Sequence, residues 1–86
     1  MRSTLDKRLL ALIEEQFDPS DREQVIRQLE SITVDHVMAR SEINLLNTQQ
    51  CILQLVKGDA SRVAHFVRVA KLDFRDVIYA ASKDSK

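Results

Sequence analysis

Leu55-Val56-Lys57-Gly58-Asp59-Ala60 carries the one glycine of this 86-residue chain, and Phe17-Asp18-Pro19-Ser20 carries its one proline. Proline is favoured at the first position of a helix and glycine just past the last. Pro19 therefore opens a helix behind Asp18, and Gly58 closes one behind Lys57. With so few breakers elsewhere, the pattern predicts an all-α fold: a single small domain of four to five helices, orthogonal or bundle-like, with no strand. A long third helix is expected as its central spine.

Helical-period apolar stripes place five segments around these breaks. The first covers about residues 4–16, with Leu5, Leu9, Leu12 and Ile13 on one side, Ser3 as cap and Asp6 in the first turn. The second runs 19–31 from Pro19, with Asp18 as cap, Asp21 and Glu23 at its positive end, and Val25, Ile26 and Leu29 inward. Ser31-Ile32-Thr33-Val34 is rich in β-branched residues, which predicts a break or kink with Thr33 capping the next helix. The third segment is drawn over 34–57, about 35 Å at 1.5 Å per residue. Its stripe is Val34, Val37, Met38, Ser41, Leu45, Ile52, Leu53 and Val56. Asn47-Thr48-Gln49-Gln50 interrupts that stripe, so either the helix bends there or a buried amide is satisfied internally or across an interface. The fourth segment spans 60–71 behind Asp59, and the fifth 74–81 behind Asp73. Residues 82–86 are expected to fray.

The bounds set by composition are loose. Formal net charge is zero, with 13 basic and 13 acidic residues. Overall charge therefore points to neither nucleic acid nor an anionic membrane. The distribution is uneven: net −3 over residues 1–50 and net +3 over 51–86. Only three Phe and one Tyr are present, so the core must be aliphatic. Cys51 is alone, which excludes an internal disulfide, and its neighbours Ile52 and Leu53 suggest a buried thiol acting as a small apolar group. No apolar run has the length of a membrane span, and Met1–Asp6 does not read as a signal peptide, so the cytoplasm is the expected address.

Catalytic and cofactor signatures are missing. A single glycine cannot form a phosphate loop or a dinucleotide fingerprint. One cysteine with the distant pair His36 and His65 is not a zinc set; both histidines read as helix-surface residues. Glu14, Glu15, Asp18, Asp21 and Glu23 cluster, but capping and helix-dipole effects account for them. Ser61 and His65 lie one turn apart without an oriented base or oxyanion donors. The chain reads as a non-enzyme with no cofactor and no metal.

Three constellations remain. Arg62, His65 and Arg68, with Lys71 and Arg75 nearby, form a basic set on the fourth segment suited to phosphate or an acidic partner, or to plain solvation. Residues 66–81 resemble a helix-turn-helix in outline, with a turn around Leu72 and Asp73 as cap. However, Val67 and Lys71 stand where a small residue and a glycine are usual, and the would-be recognition helix has Arg75 alone near its start. Asn44, Asn47, Thr48, Gln49, Gln50 and Gln54 offer amides that could set register in a helical interface.

The tail, from Lys57-Gly58-Asp59 to Asp73-Phe74-Arg75-Asp76-Val77, resembles a segment of small, uncharacterised bacterial all-helical proteins. The resemblance covers about a third of the chain and implies a family without an activity. The leading expectation is a cytoplasmic protein-interaction or regulatory module with an unknown protein partner; the alternative is a DNA-binding protein using residues 66–81. A homodimer is also expected. Leu10, Leu46, Leu55 and Val69 lie off the main stripes and are candidates to face a second subunit, with the acidic half of each copy against the basic half of the other. The competing account has these residues completing a monomer core.

Overall fold

The computed structural model describes residues 5–37 and 40–84, and of Asp84 the backbone alone. Helix α1 (Lys7–Gln16) and helix α2 (Pro19–Glu30) form the first pair of packed neighbours in the chain, joined by Phe17 and Asp18. Asp6, placed by the sequence in the first turn, is instead the cap of α1: its carboxylate accepts the Arg8 N–H at 2.8 Å. Ser3 and Thr4, assigned to that helix start, lie outside the described residues. Leu9 and Ile13 are buried, and Phe17 turns inward just past the helix end.

Asp18 holds the cap position of α2 with extended backbone, but its side chain makes no capping bond. The turn is held by Arg22. Its Nε donates to Phe17 O at 3.1 Å and its guanidinium NH2 donates to Glu14 O at 2.9 Å. The last carbonyls of a helix have no intrahelical donor and attract positive charge. The final turn of α1 has no basic residue of its own, and Arg22 supplies one from the next helix.

The break at Ser31–Val34 is present, and it has a larger consequence than the sequence suggests. Thr33 caps a single 3-10 turn, Val34–His36, and the His36 Nδ1 accepts the Thr33 N–H at 3.0 Å. This is a capping box with an imidazole in place of the usual Glu or Gln. His36 is therefore half-buried and locally engaged rather than a solvated helix-surface residue. Val37 is extended, Arg40 has φ 52°, and Ser41 caps a fresh helix by accepting the Asn44 N–H at 3.3 Å. The third helix, drawn over 34–57, is corrected to α3 (Glu42–Val56), 15 residues and about 22 Å long. Met38, assigned to its stripe, lies outside the described residues.

Helix α3 ends on two left-handed residues, Lys57 (φ 49°) and Gly58 (φ 82°). Glycine is required at 58 for a second reason: a Cβ there would sit 3.1 Å from Gln16 O, at the end of α1. Asp59 then caps a 3-10 turn, Ala60–Arg62, accepting from Ser61 N at 3.0 Å and Ser61 Oγ at 2.6 Å. The two expected helices beyond it are the two segments of α4 (Val63–Asp84), separated by a kink at Asp73 where the backbone is extended (φ −158°, ψ 101°). The kink stands where the turn was expected, and Asp73 caps the second segment by accepting the Arg75 N–H at 3.1 Å. The helix bound is Asp84 rather than residue 81, and residues 85 and 86 of the tail expected to fray lie outside the described set.

Helix α3 packs mainly against α4, with smaller contacts to α1 and to the Val34–His36 turn, while α2 packs on α1 and α4. The core is aliphatic apart from Phe17, with Leu9, Val25, Leu29, Ile52, Leu53, Val56 and Val63 fully enclosed. No strand occurs among the described residues. The polar run of α3 is resolved internally. Thr48 Oγ1 donates to Asn44 O at 2.8 Å, and the buried Gln49 donates its amide to Leu29 O at 3.2 Å, in the last turn of α2. Gln54 donates likewise to Ala81 O at 2.9 Å in α4. A buried amide with its bond made costs little, whereas one left unmade costs its desolvation.

Candidate functional site

The outer side of α4, with the 3-10 turn that leads into it, holds all five residues of the basic set, and all five are exposed. They do not form one stripe. A step of three residues falls about 60° short of a full turn, so Arg62, His65, Arg68 and Lys71 wind around half the helix. The structure divides them into three groups. Arg62 lies 5.4 Å from the Phe66 ring centroid, and the His65 ring meets Phe66 edge-on at 5.1 Å. Arg68 and Lys71 border a groove of about 270 Å³ against Gln28 and Ser31 at the end of α2, with Ala64 and Val67 as its apolar wall. Arg75 lies beyond the kink, forked onto Asp73 at 3.1 and 3.2 Å.

That fork has electrostatic consequences. The bond from the Arg75 side chain, then the one from its backbone N–H, holds the Asp73 carboxyl below the usual carboxylate range, while Asp73 raises Arg75. Arg75 is therefore already occupied. Arg8, Arg27 and Arg40 are likewise ion-paired, with Asp6, Glu23 and Asp35. The side chains of Arg68 and Lys71 make no ion pair or hydrogen bond among the described residues.

Leu72 stands beside those two cations. It is 84% exposed, the most exposed large apolar side chain of the described residues. Arg68 lies one turn before it on the same side of a regular helical segment, and Lys71 adjoins it. Sequence spacing did not single out Leu72, although it falls off the Val63–Val67–Ala70 stripe, at the turn drawn before Asp73. Tyr79, 63% exposed, lies beyond the kink, with the Lys83 ammonium 4.9 Å from its ring.

Of the four residues assigned to a subunit interface, one is enclosed and three keep part of their surface, Leu46 in a surface groove. Leu55 is 8% exposed and belongs to the core, and Leu10, Leu46 and Val69 are half-buried against it. Of the two off-stripe leucines of α3, Leu55 completes the core, while Leu46 packs against it and also borders the surface. Among the described residues, the large apolar groups left outward are Ile43, Leu72 and Tyr79. Ile43 borders a second groove, about 320 Å³, formed with Leu45, Leu46 and Gln49 of α3, where Asp6 and Glu42 place two carboxylates.

The other candidates are accounted for locally. Among the described residues no group of three or more His, Cys, Asp or Glu side chains is placed to hold a metal ion. Ser61 donates its hydroxyl to Asp59, a helix-capping arrangement. Cys51 is half-buried, and burial pushes its thiol pKa up, away from the reactive thiolate. In the segment resembling a recognition helix, Arg75 is tied to Asp73 and Asp76 is exposed beside it. No helix of the described residues is long and apolar enough to cross a membrane. No protein-family model, curated protein or solved structure matches the chain.

Proposed function

We propose that this chain is a non-enzymatic protein-interaction or regulatory module that docks through the outer side of α4. One observation carries the reading. An almost fully exposed leucine, Leu72, stands at a helix kink beside two cations, Arg68 and Lys71, that the fold leaves without partners among the described residues. Exposed apolar groups beside unpaired charge suit a protein partner better than solvent, because apolar contact supplies affinity and charge supplies orientation. The partner that fits is acidic with an apolar anchor. A cytoplasmic setting agrees with the single, half-buried cysteine.

The test is capture on immobilised protein from the source cell, wild type beside Leu72→Asp and Lys71→Glu. A partner retained by wild type and lost by both variants, with unchanged circular dichroism, is the expected outcome. Equal capture by all three overturns the reading. A salt-sensitive shift of random duplex DNA, lost in Arg68→Ala with Arg75→Ala, replaces it with the helix-turn-helix alternative over residues 66–81.

A further inference from the structure

We propose that the groove beside Ile43 receives a second copy of this chain, through the Leu72 end of the neighbouring copy's α4. The inference rests on reading the outer side of α4 as the docking surface and adds the identity of what it docks on.

Both halves of the match lie on one chain. The groove has an apolar wall of Leu45 and Leu46 and the 71%-exposed Ile43 at its rim. Its charged members are both carboxylates, Asp6 and Glu42. Asp6 is shared with Arg8, whereas Glu42 makes no ion pair or hydrogen bond through its side chain among the described residues. The projecting half is the inverse: Leu72 at 84% exposure with Arg68 and Lys71. Seating it covers two of the three exposed large apolar side chains of the described residues and brings unpaired cations to an unpaired carboxylate. Opposite charge at the rim fixes orientation and speeds encounter.

Groove and projection are different surfaces of one chain, so the contact is isologous when a two-fold axis makes it twice and heterologous otherwise. Two copies related by a two-fold axis make it twice and close; without closure it adds copies end to end. A standard interface covers about 800 Å² per partner, which would be about one-seventh of the 5738 Å² the molecule exposes.

Sedimentation equilibrium from about 10 µM to about 1 mM tests the contact. The mass of wild type is expected to rise with concentration from that of one 9.9 kDa chain toward two. Leu72→Asp and Ile43→Asp, both at exposed positions, are expected to stay folded by circular dichroism and to hold the mass at one chain. Glu42→Lys and Lys71→Glu each weaken association at least tenfold, and the double variant recovers it. Growth beyond two copies that is lost in Leu72→Asp supports the same contact without two-fold closure. A mass of one chain throughout overturns the inference, and so does association that Leu72→Asp leaves intact or a double variant that recovers nothing. Partner capture that remains sensitive to Leu72→Asp in a strictly monomeric protein separates the two readings: the docking function stands and self-association falls.

Discussion

Thr48-Gln49 on α3 and Leu72 on α4 break the same rule in opposite directions. The first pair is polar and buried, at 0% and 5% exposure; the second residue is apolar and 84% exposed. The difference lies in what the molecule does about each. Thr48 and Gln49 have their bonds made inside the fold, to Asn44 O and Leu29 O. Leu72 finds no apolar enclosure, and the neighbouring Arg68 and Lys71 are equally unengaged among the described residues. A violation that the fold compensates marks a structural device. One it leaves open marks a surface available to something else.

The comparison is sharpened first by a benchmark on the compensated side. Leu53 is fully enclosed on α3, and Leu53→Ala should cost about 2–5 kcal/mol by urea unfolding, from lost burial and the cavity left behind. Gln49→Ala should cost about 1–3 kcal/mol, since it removes both packing and the bond to Leu29 O. Gln49→Leu keeps most of the volume and removes only the bond. Its cost should fall to about 0.5–1.5 kcal/mol, because Leu29 O retains the Ile32 N–H at 3.1 Å. A Leu variant as damaged as the Ala variant would break the claim that packing and bonding contribute separately here.

Acid tests the caps, including the one at the kink beside Leu72. Asp6, Asp59 and Asp73 are each held below the ordinary carboxylate range, Asp6 chiefly by the Arg8 backbone N–H, Asp59 by the Ser61 hydroxyl and Asp73 by the Arg75 side chain. A carboxyl whose pKa falls on folding binds protons more readily in the unfolded chain. Its contribution to stability is therefore complete above the unfolded value of about 4 and is lost as pH falls through the folded value. Thermal midpoints should hold from pH 7 to about 5 and then decline, and Asp73→Asn should flatten part of that decline. All three groups are solvent-exposed, so the effect should be modest and smaller in high salt.

The smallest effect belongs to the open side. Leu72→Asp should leave the urea midpoint within about 0.5 kcal/mol of wild type, as a surface change that breaks no packing. A loss on the scale of Leu53→Ala would mean that Leu72 is part of the core, and the contrast between α3 and α4 would collapse.

Much of the helix order was legible from punctuation: Pro19, Gly58 and Asp73 all stand where the chain turns. The stretch 34–41 was not, because Val34, Val37 and Ser41 keep helical spacing while Thr33 and His36 close a local turn ahead of α3. The cue was present in Thr33-Val34-Asp35-His36, a capping-box spacing with histidine in the last place. Of the candidate site, the basic residues were legible, but which of them remain unengaged was not. Arg75 is taken by a residue two positions away, Arg62 by an aromatic ring four positions away, and nothing in spacing alone distinguishes these from Arg68.

The two ends of the helices show where local information stops. Apart from α2, helix starts are capped by side chains two or three residues from the N–H they accept: Asp6 to Arg8, Thr33 to Asp35, Ser41 to Asn44, Asp59 to Ser61, Asp73 to Arg75. Short carboxylates and hydroxyls reach no farther, so the sequence by itself determines those positions. Helix ends need donors, and beside local backbone N–H groups three carbonyls near the ends of α1, α2 and α4 take theirs from long side chains on other helices. Arg22 serves Glu14 O across 8 residues, Gln49 serves Leu29 O across 20, and Gln54 serves Ala81 O across 27. Only the packing of the four helices decides which carbonyl each one meets, and the same packing decides that Leu55 is enclosed while Leu72 is left in the open.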